Sequence, residues 1–405
     1  MLKKNIIFMG ISQIVNYLFP LILIPYLIRI LGLDLYGVYI IFQVIIFFGL
    51  LITTYSYNII GVKQISNNLH NTNQIKMIFN DILSTKIVLF VIVFSLFSFL
   101  PFYIDEIMPF KLEFFFILLN ILGYALFPNW YLQGLGRFKE LMIINIIYKS
   151  LQFFLIILFV KSSSDFLLLN IIYGVIPLLM AIHSLKLAHV QKISFITKNI
   201  IKELRDNFRT FLSLLFRNSN SSLVILFIGL NFHLETVAIV GALEKIVKAV
   251  RSMFDPIFSV VFQHINIKDK KQNKFFYIDK MVLFGIVFGF IFMILFNTFQ
   301  KEISLMVFDK YSESYNHIFS IFSIMPLLLI LTNIFGIQTL ITYNYENKYN
   351  NIMVISFIIT LCFIVIFRNS IDSLILSLPF VEGFILILTY IYYKRIKKHE
   401  NCIRT

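Results

Sequence analysis

The sequence predicts an all-α membrane protein: twelve transmembrane helices in two six-helix lobes, related as a parallel repeat around a central cavity. Three observations carry that expectation. Of 405 residues, 59% are hydrophobic and only 14% charged, with a mean hydropathy of +0.85. Soluble chains run at about 45–50% apolar and about 25% charged, so lipid has to serve as part of the solvent. Apolar runs long enough to cross a bilayer then recur along the whole chain. Finally, the two halves of the chain carry these runs at matching positions.

A helix needs about 20 mostly apolar residues to cross roughly 30 Å of hydrocarbon. Twelve such runs occur, at about residues 6–28, 37–60, 82–104, 112–132, 141–160, 166–187, 210–230, 236–262, 281–300, 317–341, 351–367 and 373–393. Lys3 and Lys4 precede the first run, which is too long for a signal peptide, contains Pro20 and Pro25, and lacks a small-residue cleavage site. It reads as the first span, with the two prolines bending it as part of a gate; Pro256 is expected to do the same in the eighth. The connecting segments hold the turn-formers and charges, such as Asp34 to Gly37 and Gly134 to Glu140.

Charge sets the orientation. The chain carries 35 Lys+Arg against 21 Asp+Glu, a net charge of +14. Such an excess in a nucleic-acid binder gathers on a polar domain, and no stretch here is polar enough to be one. With both termini in the cytoplasm, 23 of the 35 cations fall in cytoplasmic segments and six in external ones, as the positive-inside bias requires. Treating the charged eighth run as a soluble helix would move the lysines of the following loop and the basic tail outside, and the bias would collapse.

Span starts in the second half follow those in the first by 199 to 210 residues. Six spans per half is an even number, so both halves enter from the same side. The expected organisation is an N-terminal lobe (1–188), a basic cytoplasmic linker (189–209), a C-terminal lobe (210–393) and a basic tail (394–405). Paired repeats of this kind usually form transporters with a midplane substrate site between them.

Function is expected to rest on the six cations left inside the spans, since each charge at a helix centre costs about 2.5–3.5 kcal/mol on insertion scales. Lys86 is four residues into its span and is expected to snorkel to the headgroups. Lys149 and Arg217 are about eight residues deep, roughly 12 Å. In the eighth span Glu244, Lys248, Arg251 and Asp255 are spaced 4, 3 and 4, which stacks them on one helical face beside Lys245. One reading makes these residues two i,i+4 ion pairs that hold helices together. The other makes Lys149, Arg217, Lys248 and Arg251 a cationic cavity for an anionic substrate, phosphate above all. Glu244, Asp255 and Glu382 are then candidates for ion coupling. Gln13 and Asn16 in the first span, and Asn218 and Asn220 in the seventh, add a polar face suited to hydroxyls or a headgroup, or to bonds between helices.

Two stretches resemble a known family. The first span and its loop contain Asn16, Pro20, Pro25-Tyr26, Arg29-Ile30-Leu31-Gly32 and Tyr36-Gly37; the fourth ends in Pro128-Asn129-Trp130-Tyr131-Leu132-Gln133-Gly134. Both are similar to the polysaccharide-biosynthesis flippases of the Wzx type, within the multidrug/oligosaccharidyl-lipid/polysaccharide exporters. The resemblance implies two six-helix lobes with an inverted-V cavity whose cations bind a pyrophosphate. It also implies transport of undecaprenyl-pyrophosphate-linked O-antigen or capsule repeat units across the bacterial inner membrane. Its implied partners are that lipid-linked oligosaccharide, membrane lipids, a polysaccharide polymerase and a chain-length regulator. Some relatives couple to ions through acids in the first helices; the first span here has none, since Asp34 lies in the loop.

No catalytic residue, metal site or cofactor is expected. Seven scattered histidines and two separate cysteines form no ligand set, and no phosphate loop or nucleophile motif occurs. A membrane polymerase or ligase is the alternative, but such enzymes concentrate chemistry in a large external loop and the longest here spans about 301–316. A multidrug exporter of the same fold would want an acidic cavity for cationic drugs.

Overall fold

The structure, a computed structural model, describes residues 2–188, 200–255, 257–258, 261, 274–309 and 315–404. Pro256, Lys192, Lys198, Lys268, Lys270 and Lys271 lie outside the described residues, as does most of the expected linker. Among the described residues the chain is helical and contains no strand. It divides into two compact units, Met1–Leu215 and Phe216–Thr405.

The first unit begins with α1 (Leu2–Thr54), 53 residues long. At 1.5 Å per residue this is far longer than a bilayer. Gly32 interrupts it with φ +78°, a left-handed backbone that glycine adopts without steric cost. One apolar helix thereby becomes two spans, and the loop expected at 29–36 shrinks to a kink. The non-helical backbone falls at Gly32, while Pro20 and Pro25 lie within the helix. Then come α2 (Tyr57–Asn67) and α3 (Thr72–Phe97). The Asn71 side chain caps α3 by accepting from Gln74 N–H at 3.0 Å, so α3 starts ten residues before its apolar run.

The helix α4 (Lys111–Leu126) stops at Phe127, which is extended (ψ 116°) ahead of Pro128. A residue before proline disfavours the helical region. The chain resumes as α5 (Asn129–Gly134), so the expected fourth span is a broken helix. It is followed by α6 (Phe138–Phe159) and α7 (Phe166–Leu187). A Cβ at Gly174 would overlap the Phe116 carbonyl; that small residue lets α7 approach α4 closely, as packing within lipid favours. The Tyr26 hydroxyl donates to the Val160 carbonyl at 2.7 Å, beside that of Ile157 at 3.0 Å. Part of the Pro25-Tyr26 signature therefore caps the end of α6. At the other end Glu140 pairs with Arg137 and, by hydrogen bonding, raises the guanidinium above its usual pKa.

The helix α8 (Ile200–Asn231) begins in the first unit, where Tyr55 donates to Leu204 O at 2.9 Å and stacks on Phe211. The second unit continues with α9 (Leu234–Ser252), α10 (Lys274–Thr298), α11 (Gln300–Phe308) and α12 (Asn316–Asn333). A π-helical segment (Ile334–Ile341), α13 (Glu346–Ile366) and α14 (Ile371–Arg404) complete it. Ile330, Ile334, Phe335, Val381 and Ile385 form the centre of its core with Phe254 and Ile278.

Among the described residues ten helices are long and apolar enough to cross a membrane. Gly10–Asn67, 58 residues long with the Gly32 kink inside it, has the length for two spans, and the charged α9 is not among the ten. Large apolar side chains such as Leu158, Leu283 and Val365 face outward, where lipid meets them.

Candidate functional site

Each unit holds its own polar constellation. In the first, the polar residues of α1 and α6 recur at helical spacing: Ser12, Gln13 and Asn16 on α1, and Asn145, Lys149 and Gln152 on α6. Intervals of three and four place each set on one face. The two faces meet, with Asn145 donating to Ser12 Oγ at 3.0 Å. Between them and the α4–α5 break lies a cavity of about 430 Å³, lined by Gln13, Asn16, Asn129, Gln133, Asn145 and Lys149, with Tyr124 and Phe127 as aromatic wall. The Lys149 ammonium stands 5.8 Å from the Tyr124 ring centre and 3.5 Å from Gln152 Oε1. Among the described residues no carboxylate pairs with it or lines the cavity.

Behind this wall is a residue whose role the sequence concealed. The expectation that Lys86 snorkels to the headgroups is overturned: it is 1% exposed, and its ammonium donates to the carbonyls of Tyr124 at 3.1 Å and Phe127 at 3.4 Å. These carbonyls are left without helical partners where α4 breaks before Pro128, and a cation there also meets the negative end of the helix dipole. Depth along a span is readable from sequence; which neighbour an inward side chain meets is not. Asn129 and Gln133, also missed as site residues, carried a signal: they stand four apart within the Pro128–Gly134 motif.

The second unit is ionic. On α9 Lys248 pairs with Glu244, and Arg251 with Asp255 at 2.8 Å. Both i,i+4 pairs of the more structural reading are thus formed. They do not stand alone: Glu382 on α14 accepts from Thr332 Oγ at 3.5 Å and lies within electrostatic reach of Arg251 and Lys248. Tyr349, buried on α13, senses Arg217, Glu382 and Arg251 together. Four helices and Arg217 of α8 therefore converge on one charge network. Asn220 donates to Ser356 Oγ at 3.1 Å and lines a small cavity with Glu382, Thr360 and Ser377. Asn218 is on the exposed side of α8. Lys149 is thus in one constellation, and Arg217, Lys248 and Arg251 in the other.

Residues 2–262 match the polysaccharide biosynthesis protein family. The chain belongs to that family. Two relatives bear names that mark them as candidate O-antigen transporters. One, from Escherichia coli K12, is 22% identical over 90% of this chain and 89% of its own length. The other, from Shigella dysenteriae, is 25% identical over 95% of this chain and 98% of its own. Among solved structures, the fold is similar to a multidrug resistance MATE family transporter of the MOP superfamily. Its inward-facing form gives a TM-score of 0.60 at 15% identity, covering 95% of this chain and 98% of that one. Its outward-facing form gives 0.59 at 13% identity, covering 98% and 97%. This member of the polysaccharide biosynthesis family is a multi-pass membrane transporter.

Proposed function

We propose that the protein is a flippase that moves undecaprenyl-pyrophosphate-linked oligosaccharide repeat units, of O-antigen or capsule, from the cytoplasmic to the periplasmic face of the bacterial inner membrane. The observation that carries the reading furthest is Lys149: an ammonium inside a membrane span, at an open polar cavity, with no carboxylate partner among the described residues. A cation inside a span without an anion is costly, and an anionic headgroup supplies the missing charge. Arg217, Lys248 and Arg251 supply cationic surface of their own in the second unit, with Asn220 as a polar neighbour and Asn218 on the exposed side of α8. Glu244, Asp255 and Glu382 are assigned to ion coupling, because a carboxylate shared among cations can change partners when an ion or proton arrives. Both termini are assigned to the cytoplasm from the distribution of Lys and Arg, and the segment 394–405 to a basic tail there; reporter fusions at each end test this.

Energetics agree with outward movement. An anion leaving an inside-negative cell gains about 2.3 kcal/mol per charge for each 100 mV. The transporter then has to shelter the headgroup by alternating access while the lipid tail stays in the bilayer. A cationic drug is the poorer substrate, since the cavity beside Lys149 offers it no acid. The deciding experiment complements a flippase-deficient strain: surface polysaccharide returns with this protein if the reading holds. Lipid-linked units that remain on the cytoplasmic leaflet despite expression contradict it.

A further inference from the structure

The cavity of the first unit has a composition that a bare pyrophosphate does not require. Its polar lining consists of carboxamides from Gln13, Asn16, Asn129, Gln133 and Asn145, the hydroxyls of Ser12 and Tyr124, and one ammonium. Each carboxamide offers two donors and an acceptor. Groups that donate and accept together suit sugar hydroxyls and N-acyl groups, whereas a phosphate needs donors alone. Tyr124, Phe127, Phe8 and Phe138 supply the apolar faces on which a pyranose ring rests. At about 430 Å³ the cavity lies within the roughly 300–1,000 Å³ of ordinary small-molecule sites.

Resting on the flippase reading, we infer that this cavity is a binding site for a sugar phosphate: Lys149 takes one phosphoryl oxygen, and the carboxamides of α1, α5 and α6 take the first sugar. Lys149 is the single cation among the lining residues, so within this cavity it meets one phosphoryl group of the headgroup. The broken end of α4 completes the site. Lys86 holds the Tyr124 and Phe127 carbonyls from behind, which sets Tyr124 against Lys149 and turns Asn129 into the cavity. Asn129 in turn accepts from the backbone N–H of Trp130 at 2.7 Å. Lys86 is thus a positioning residue, acting through the wall and not on the ligand.

The same geometry provides a probe. Trp130 is the sole tryptophan of the chain, is fully buried and packs against Phe79 and Tyr131, so its emission reports on the cavity wall. The full-length protein in lipid nanodiscs is titrated with a short-chain prenyl-pyrophosphate-linked N-acetylhexosamine, the free hexosamine 1-phosphate, the unphosphorylated sugar and inorganic phosphate. The expected result is a saturable change in Trp130 emission with both phosphorylated sugars, weaker by about tenfold or more in Lys149→Met. Tighter binding of the prenyl-linked probe identifies the lipid headgroup as the source of the ligand, and equal binding a soluble sugar phosphate. If inorganic phosphate or the unphosphorylated sugar binds as tightly, or Lys149→Met binds as wild type, the assignment is overturned, while the flippase reading is decided separately by complementation of the flippase-deficient strain. If neither phosphorylated sugar binds the wild-type protein, as checked by calorimetry, both fall.

Discussion

In the first unit a single ammonium stands among carboxamides, whereas in the second the cations of α9 stand beside acids: Glu244 with Lys248, Asp255 with Arg251, and Glu382 near both pairs. The two arrangements answer one cost differently. A paired charge in hydrocarbon is compensated within the protein, here by an acid one helical turn away. An ammonium without an acid waits for a ligand. The first arrangement suits recognition, while the second suits a network that rearranges. The 4, 3, 4 spacing already offers both ion pairs in the sequence, whereas the surroundings of Lys149 depend on which helices face it.

The largest effect is expected where this contrast is sharpest. Lys149→Met should abolish surface polysaccharide while leaving the amount of protein in the membrane unchanged, as read by blotting of membrane fractions. Arg251→Ala should also abolish transport, and with a stability cost. Removing one partner of this part-buried pair leaves the other charge uncompensated, so the midpoint of thermal unfolding in detergent should fall. Exchanging the pair, Arg251→Asp with Asp255→Arg, should recover part of that stability but not transport. A full recovery of transport would show that the pair is only a strut. Arg217→Ala should reduce polysaccharide strongly with a smaller loss of stability, since Arg217 lies within electrostatic reach of Tyr349 and outside the two i,i+4 pairs.

Lys86→Met should be intermediate. It leaves two buried carbonyls without a donor, at about 1–3 kcal/mol, and loosens the Tyr124 wall. Weaker sugar-phosphate binding with an intact Lys149 would mark it as a positioning residue, and Lys86→Arg should restore part of the binding. Asn71→Ala, far from either constellation, should cost about 1 kcal/mol through its lost helix cap and leave transport unaltered.

Much of the architecture was legible because hydropathy is a property of single segments. Spans of about 20 apolar residues need only their own composition to be recognised. Boundaries were less legible. The start of α3 is set by the Asn71 side chain and the turn in α1 by Gly32, and both extend helix through residues that read as loop. The α4 break was marked by Pro128, yet the apolar run hid it. Of the candidate site, Gln13, Asn16 and Lys149 were identified from their position inside spans, and they do share a cavity. Tyr124, Asn145 and Lys86 were not, because their roles come from the facing helix: an aromatic ring, an amide or a lysine in an apolar run has no partner until the helices pack.

The central claim is that Lys149 holds the charge of a lipid-linked sugar during export. Its most direct measurement follows lipid-linked repeat units in a flippase-deficient strain carrying either the wild-type protein or Lys149→Met, with the leaflet assigned by a probe that cannot cross the membrane. The account predicts export with the wild type and accumulation on the cytoplasmic leaflet with Lys149→Met at equal protein level. Wild-type export by Lys149→Met would contradict it.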